Sequence, residues 1–430
     1  MKKTSKNIVI FVNAIRPATF MALDKYESET GKTLRPVVFV DTTIRERILD
    51  QNGQNKHLDE VPFLSVDFNS SDSIKHALDK YKKDIVAVVS QYENSMHEFQ
   101  KLIPHVPYLN MPSVDSITWS TEKKFMREKI GDYDTKLVPE HHEVHELHRT
   151  TINDIENKMK YPVIVKPSGL EGSLLVAKAN NRQELESNIT KSLNHIQEAY
   201  DTWIKRQKPF LLIEEFMEGS MYSIDTYVNN LGECTHLPSV LVVTGHDSGQ
   251  QDFYGYMRLT PSSLSSSEEN GARKAVEATV NALGVKSLTI HVELMHTKNG
   301  WKIIELGPRI GGYRHDMYFK AYGINHIVND ILNRAGENII LPAHKPLGNS
   351  AVFNIYADSE GTIKRLNGIE KIKTLQSFVS VKQNLSVGDK AVYARHNGVA
   401  IFEIELFNKV QEKLQKDIDS MESAINIEIA

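Results

Sequence analysis

The sequence predicts a mixed α/β fold that opens with a Rossmann-like βαβ domain. Short, wholly apolar runs recur near the N-terminus with helical stretches between them, as in a parallel sheet buried on both faces. Further along, the apolar residues alternate with polar ones, as in half-buried antiparallel strands. At about 150 residues per domain, the 430-residue length adds an expectation of about three domains.

Ile8-Val9-Ile10-Phe11-Val12 reads as the first buried strand. A helix follows over about 18–29, and Gly31 is placed to stop it. Val37 to Val40 and Ile85 to Val89 are further strands of the same kind, which makes an open parallel sheet of βαβ units. The loop after the first strand, Asn13 to Pro17, has no GxGxxG, so no dinucleotide fingerprint is present there. From about Thr118 the pattern changes. Thr121 to Ile130 reads as a charged amphipathic helix, and 161–166, 210–215 and 223–228 read as strands. Ser265 followed by Glu268 fits a capping box that starts a helix carrying Ala272, Val276, Val280 and Leu283, with Gly284 ending it. The part from about Leu341 alternates short strands with turns. It closes on a helix in which Phe407, Val410, Leu414, Ile418 and Met421 line one face as core packing.

The net charge of −4 excludes a global basic field for nucleic acid or anionic membrane. A single cysteine, Cys234, excludes an intrachain disulfide framework and any CxxC site. The apolar run behind the basic start is too short for a signal peptide, and no stretch approaches the roughly 20 apolar residues of a membrane span. A cytoplasmic protein without membrane or nucleic-acid partners is expected.

Leu288 to Leu294 alternates strictly, so Thr289, His291 and Glu293 share a face. A turn at 297–301 leads to Lys302-Ile303-Ile304-Glu305-Leu306. A two-residue Asn-Gly loop would set Glu293 opposite Leu306 and turn Glu305 to the other face. A three-residue Lys-Asn-Gly loop, with Gly300 at positive φ, would set Glu293 opposite Glu305 and His291 opposite Gly307. Opposed carboxylates are destabilising, and a divalent cation such as Mg²⁺ would account for them. Strand 161–166 ends in Lys166 and runs into a Gly/Ser loop, 168–173, whose backbone N–H groups suit phosphate oxygens. Strand 210–215 breaks into the acidic loop Glu214-Glu215-Phe216-Met217-Glu218-Gly219, an edge that can offer backbone groups to an adenine. His141, His142, His145 and His148 crowd one segment. On a helix His141 and His145 would share a face, but HExxH is not met and the segment reads as a solvated connection.

In order, the lysine helix, Val-Lys-Pro with its Gly/Ser loop, Leu-Ile-Glu-Glu-Phe-Met-Glu-Gly, and Val-Glu followed by Glu-Leu-Gly-Pro-Arg-Ile-Gly-Gly resemble the ATP-grasp superfamily over about 118–323. The branch resembled is that of carboxylate–amine ligases, including bacterial L-amino-acid ligases. The resemblance implies an N-terminal domain (1–115), an ATP-grasp core (116–335) with a lid over about 134–208, and a small C-terminal α+β domain (336–430). It implies ATP and Mg²⁺, or Mn²⁺, as cofactors. Lys123, with Lys124 as a one-residue alternative, matches the first nucleotide lysine, and Lys166 the second. Gly169, Gly172 and Ser173 match the phosphate loop. Glu214, Glu215, Phe216 and Met217 match the adenine hinge, where Phe216 and Met217 would act mainly through backbone. Glu293 and Glu305 match the metal ligands, and Arg309 the arginine that steadies the transferring phosphate.

Two positions depart from the superfamily pattern. Gly307 stands where the usual metal motif has Asn, a change that the L-amino-acid ligases share. Met221 stands where a ribose-binding acid is usual, and Glu218 is the candidate substitute. Arg309 and Arg314 are candidates for a substrate carboxylate, Asp316 or Asp225 for an amino group, and His291 for support of Glu293. The activity implied is amide formation between a small carboxylate, such as an amino acid, and an amine, through an acyl phosphate with release of ADP and phosphate. A carboxylase-like or purine-pathway-like activity uses the same core, as does a non-catalytic nucleotide sensor. Small-molecule substrates are the expected partners, and a homodimer is compatible with the reading.

Overall fold

The computed structural model describes residues 6–44, 61–170, 173–202, 208–250, 252–342, 345–396, 398–421 and 424–430. The apolar runs form β1 (Ile8–Val12), β2 (Arg35–Asp41), β3 (Phe63–Val66) and β4 (Ile85–Val89), all parallel, in the order β3-β2-β1-β4. The Ala18–Thr30 helix connects β1 to β2, and Gly31 ends it in the left-handed region at φ 68°. The unbroken apolar character of β1 has a direct cause. Ile10 and Val12 enter one core cluster, whereas Val9 and Phe11 enter another that contains Ile327 and Ile331 of the His326–Ala335 helix. That second cluster seats the N-terminal sheet against the rest of the chain.

The second sheet comprises β5 (His141–Val144), β6 (Val163–Pro167), β7 (Ala177–Ala179) and β8 (Leu211–Glu215), ordered β5-β8-β6-β7 and antiparallel. The Arg149–Lys158 and Arg182–Thr202 helices join it in one hydrophobic cluster. The histidine-rich segment is therefore neither a helix nor a loose connection. Its first four residues are edge strand β5, and among the described residues no group of three or more His, Cys, Asp or Glu could hold a metal ion.

The third sheet runs through β9 (Gly219–Val228), β10 (Cys234–His236), β11 (Val240–Thr244), β12 (Gly255–Thr260), β13 (Leu288–Thr297), β14 (Gly300–Gly307) and β15 (Asn349–Ile355). After β16 (Gly361–Asn367), β17 (Phe378–Gln383) and β18 (Lys390–Ala391) come β19 (Phe402–Asn408) and β20 (Asn426–Ile429). Its path is β14-β13-β9-β11-β12-β15-β19-β17, with β10 beside β9, while β18-β16-β20 form a small separate sheet. The pairing of β15 with β12 carries one sheet from the central part of the chain into its C-terminal part.

The Ser266–Leu283 helix has the complete capping box of Ser265 and Glu268 and ends at left-handed Gly284. The last helix, Gln411–Met421, buries Leu414, Ile418 and Met421. The expected stripe does not extend further back, because Phe407 belongs to β19 and Val410 is exposed. No helix among the described residues is long and apolar enough to cross a membrane.

Candidate active site

The β13–β14 hairpin sets the geometry. Thr297 pairs with Gly300, so the loop is Lys298-Asn299, and neither of the two expected loops forms. The register runs Leu294↔Ile303, then shifts at a bulge that leaves Ile304 extra and sets Glu293 opposite Glu305 and His291 opposite Gly307. The opposed carboxylates are thus present, but a bulge produces them and not the turn. Both glutamates keep about a quarter to a third of their side chains exposed, at 31% and 24%. They offer hard oxygens on one face of neighbouring strands. Two carboxylates fit Mg²⁺, which ordinarily completes its shell with water and phosphate oxygens instead of an all-protein cage.

Lys123 opens the Lys123–Tyr133 helix and is buried. Its Nζ donates to Leu170 O (2.6 Å) and lies 3.2 Å from Glu305 Oε1. Burial works against its charge, but Glu305 and Glu93 outweigh that and raise its pKa. Lys124 instead pairs with Glu143 at 2.9 Å, so the lysine beside the hairpin carboxylates is Lys123.

One helical turn on, Arg127 shares the face of Lys123 and is fully buried. Its Nε and Nη2 donate to the two oxygens of Glu214 (2.8 and 3.3 Å), and Nη2 also donates to Ile304 O (2.6 Å). Lys166, at the end of β6, pairs with Glu214 Oε2 at 2.5 Å. Glu214 is thus a buried anion between two cations. Burial pushes its pKa up, but Arg127 and then Lys166 more than reverse this and hold it at about 2. For Lys166, burial is only partly opposed by Glu214, and Arg127 and Lys123 add repulsion, so its pKa comes down to about 8. Two cations and one anion leave this buried cluster net positive, ready for an anionic ligand.

The Gly/Ser loop is anchored at its start. Gly169 N donates to Tyr200 Oη (2.7 Å), and Ser168 Oγ hydrogen-bonds the same hydroxyl (3.0 Å). A Cβ at 169 would stand 3.0 Å from that oxygen, so glycine permits the close approach. Ser173 has φ 58° and donates from Oγ to Phe253 O (3.1 Å). Gly172 lies outside the described residues.

Phe216, Met217 and Glu218 form the short link from β8 of the second sheet to β9 of the third. Phe216 N donates to Pro162 O (3.3 Å), which uses the backbone donor expected to face adenine. The Lys178 ammonium sits 3.9 Å from the centre of the Phe216 ring. Glu215 Oε2 accepts from Glu140 N (3.3 Å) and lies 3.6 Å from Lys302 Nζ, Met217 is half-buried, and Glu218 is exposed.

Arg309 donates from Nη2 to Glu93 Oε2 (2.9 Å) and from Nη1 to Ile310 O (3.3 Å). Glu93 comes from the short 3-10 helix Glu93–Ser95 of the N-terminal part and lies 3.4 Å from where a Cβ on Gly307 would be. The position that departs from the usual motif is therefore where the N-terminal part reaches the hairpin.

Behind Glu293 lies a buried chain of polar groups. His291 Nε2 is 3.5 Å from Glu293 Oε1, and its Nδ1 meets Asp225 Oδ1 at 2.6 Å. Asp225 Oδ2 accepts from His326 Nε2 (2.7 Å) and Gly311 N (2.8 Å), and His326 Nδ1 meets Tyr227 Oη (2.6 Å). Asp225 is wholly buried and its oxygens are taken, so it does not receive a substrate amino group as expected. Despite burial, His291 and His326 keep its pKa well below the usual carboxylate range. Arg314 is not a surface residue either. It is buried, with Nη2 and Nε on Ser223 Oγ (2.6 and 3.2 Å) and Nη1 on Gly312 O (3.1 Å). Asp316 is half-buried, and burial with nearby Glu405 raises its pKa. Of the residues not expected to belong here, Arg127 was signalled by its i,i+4 spacing from Lys123, whereas Glu93 and Tyr200 carried no local signal.

The ATP-grasp domain family matches residues 159–329, the span from the strand before Lys166 to past the Asp225–His326 pair. Residues 159–329 are an ATP-grasp domain. Over 180 residues it is 25% identical to a D-alanine–D-alanine ligase of Haemophilus ducreyi, covering 40% of this chain and 52% of that one. The chain spans about half the length of the first curated relatives it matches. Its fold is similar to that of an L-amino acid ligase from Bacillus licheniformis, with TM-score 0.77, 19% identity and coverage of 99% and 100% of the two chains. A phosphoribosylglycinamide synthetase from Anaerococcus prevotii gives TM-score 0.65 and 15% identity, with coverage of 99% and 100%. ATP and Mg²⁺ are the cofactors of ATP-grasp enzymes, and the donor set described above fits both.

Proposed function

We propose that this protein is an ADP-forming ligase that joins a small carboxylate, an amino acid, to an amine. The observation that carries the reading is the opposed pair Glu293 and Glu305 placed against Lys123, which is joined through one helix face to the net-positive Lys166–Glu214–Arg127 cluster. Similarity to D-alanine–D-alanine ligase and to the L-amino acid ligase fold supports the amide-forming branch over other carboxylate-activating reactions.

Carboxylate and γ-phosphate repel each other, so their approach requires neutralisation and exact placement. Lys123 and Lys166 bind phosphate oxygens, with Lys166 turning its charge from Glu214 towards the nucleotide. Gly169 and Ser173 bring the Gly/Ser loop over the phosphates, and Tyr200 fixes its start. Phe216 and Met217, with Glu214 and Glu215 behind them, border the adenine, and Glu218 lies at the ribose edge. Glu293 and Glu305 would hold Mg²⁺, which supplies charge stabilisation to the phosphates when bound. Arg309 steadies the transferring phosphoryl group. A carboxylate oxygen attacks the γ-phosphorus, the bond to the β-phosphate oxygen breaks, and ADP leaves. The amine nitrogen then attacks the acyl carbon, phosphate leaves, and one proton is released. His291, held by Asp225, orients Glu293.

The residues 134–208, which carry most of the second sheet, act as the lid that excludes water. The test is ADP release from the purified protein with paired amino acids and other small carboxylates, with mass detection of the product. An amide product formed in step with ADP supports the reading. ADP release stimulated by no pair contradicts it.

A further inference from the structure

The Arg182–Thr202 helix carries a polar stripe that has no part in the chemistry above. Its apolar side, with Leu185, Ile189 and Ile196, belongs to the core of the second sheet. Glu184, Asn188, Lys191, His195 and Glu198 recur at steps of four and three, so they share another face. That face is one wall of a cavity of about 1290 Å³. Gly249, Gln250 and Phe253, in the loop between β11 and β12, form a second wall, and His396 adds a third from the C-terminal part. Sites for one small molecule run to about 300–1,000 Å³, so this cavity is larger than a single amino acid needs. It is also long. From Glu184 to Glu198 the helix rises roughly 21 Å, the length of an extended chain of about six residues.

The cavity begins at the Gly/Ser loop. Leu174 and Leu175, which follow Ser173, line it, and so does Phe253, whose carbonyl accepts from Ser173 Oγ (3.1 Å). On the helix, the lining residue Ala199 stands beside Tyr200, whose hydroxyl holds Gly169 and Ser168. The Glu198 end of the stripe is therefore the loop end, and Glu184 is the far end. The charges along the stripe have an order. Glu184 is taken up by Asn180 N and Nδ2 (2.8 Å each) and by Asn181 Nδ2 (2.9 Å). The other two charged groups are Glu198, next to the loop, and Lys191, exposed and roughly 10 Å further along the helix. Ser192 and His195 supply hydrogen-bonding groups between them. An ammonium suits the acid and a carboxylate suits the lysine, and an extended chain of about three residues spans the distance.

We propose that the amine substrate is a short peptide lying along this helix, with its N-terminal amine at the Gly/Ser loop and its C-terminal carboxylate by Lys191. The proposal rests on the ligase reading, and its test separates the two. ADP release is measured at saturating Mg·ATP and carboxylate donor with alanine, dialanine, trialanine and trialanine amide as amine substrates. In the wild type kcat/KM should rise about tenfold from alanine to trialanine, the worth of one or two added hydrogen bonds. K191E should cut the preference for trialanine over its amide about fivefold, the worth of an exposed ion pair. H195W, which fills the middle of the stripe, should bring the trialanine-to-alanine ratio towards one. Both residues are exposed, so neither change disturbs the core. Equal or falling kcat/KM with peptide length, or a K191E that keeps the wild-type preference for trialanine over its amide, would overturn the proposal and leave the cavity as clearance for movement of the lid. ADP release stimulated by no amine at all would overturn the ligase reading itself.

Discussion

Glu214→Gln tests how the fold and the nucleotide site share one charge. The substitution keeps the shape but removes the anion between Arg127 and Lys166, whose nitrogens lie 2.8 and 2.5 Å from its oxygens. Both cations then remain buried without a counterion. Removing one partner of a buried ionic group costs about 3–5 kcal/mol, and at roughly 2–4 °C per kcal/mol the midpoint should fall by roughly 6–20 °C. Phosphate can replace part of the missing charge. Saturating Mg·ATP should therefore raise the midpoint of Glu214→Gln more than that of the wild type, beyond the ordinary gain from ligand binding. Differential scanning calorimetry with and without Mg·ATP, with circular dichroism to confirm folding, measures both. A variant that melts with the wild type would refute the charge argument. A large loss with no extra nucleotide rescue would place Glu214 in the fold alone.

Lys166→Ala and Glu305→Gln should each lower amide formation about 100- to 1,000-fold while the protein stays folded, and near-normal turnover at saturating Mg·ATP would remove that residue from the site. Tyr200→Phe deletes the hydroxyl that holds Gly169 and Ser168 and should raise KM for ATP about 2- to 10-fold; unchanged KM would mean that the loop start is fixed otherwise. Phosphate contact raises the Lys166 pKa in the complex, so nucleotide binding takes up a proton above the free value of about 8. Mg·ATP affinity, followed by calorimetry, should be level below pH 8 and fall by up to about tenfold per unit above it, and Lys166→Arg should remove that fall.

The fold, and the placement of several candidate site residues, were legible where periodicity carries the information. Alternation in β13 put His291 and Glu293 on one face, and the wholly apolar β1 marked a strand buried between two cores. The hairpin register was legible only by coincidence. The turn is shorter than the three-residue loop, and the bulge at Ile304 restores the Glu293–Glu305 pairing, whereas sequence patterns do not reveal such bulges. Burial was the second gap. Asp225 and Arg314 looked like substrate contacts, yet both are spent on internal partners, since alternation gives the face of a strand but not what covers it. Contacts across the chain were the third gap. Glu93 reaches Arg309 across 216 positions and Arg16 reaches Gly311 across 295, distances at which no local pattern acts.

The central claim is that Lys166, Glu293, Glu305 and Arg309 direct a carboxylate onto the γ-phosphorus of ATP. It is tested most directly by following ¹⁸O from the substrate carboxylate. The account predicts that one labelled oxygen appears in inorganic phosphate, with ADP as the nucleotide product. Attack at the α-phosphorus would instead leave the label in AMP and release pyrophosphate, and that result would contradict the account.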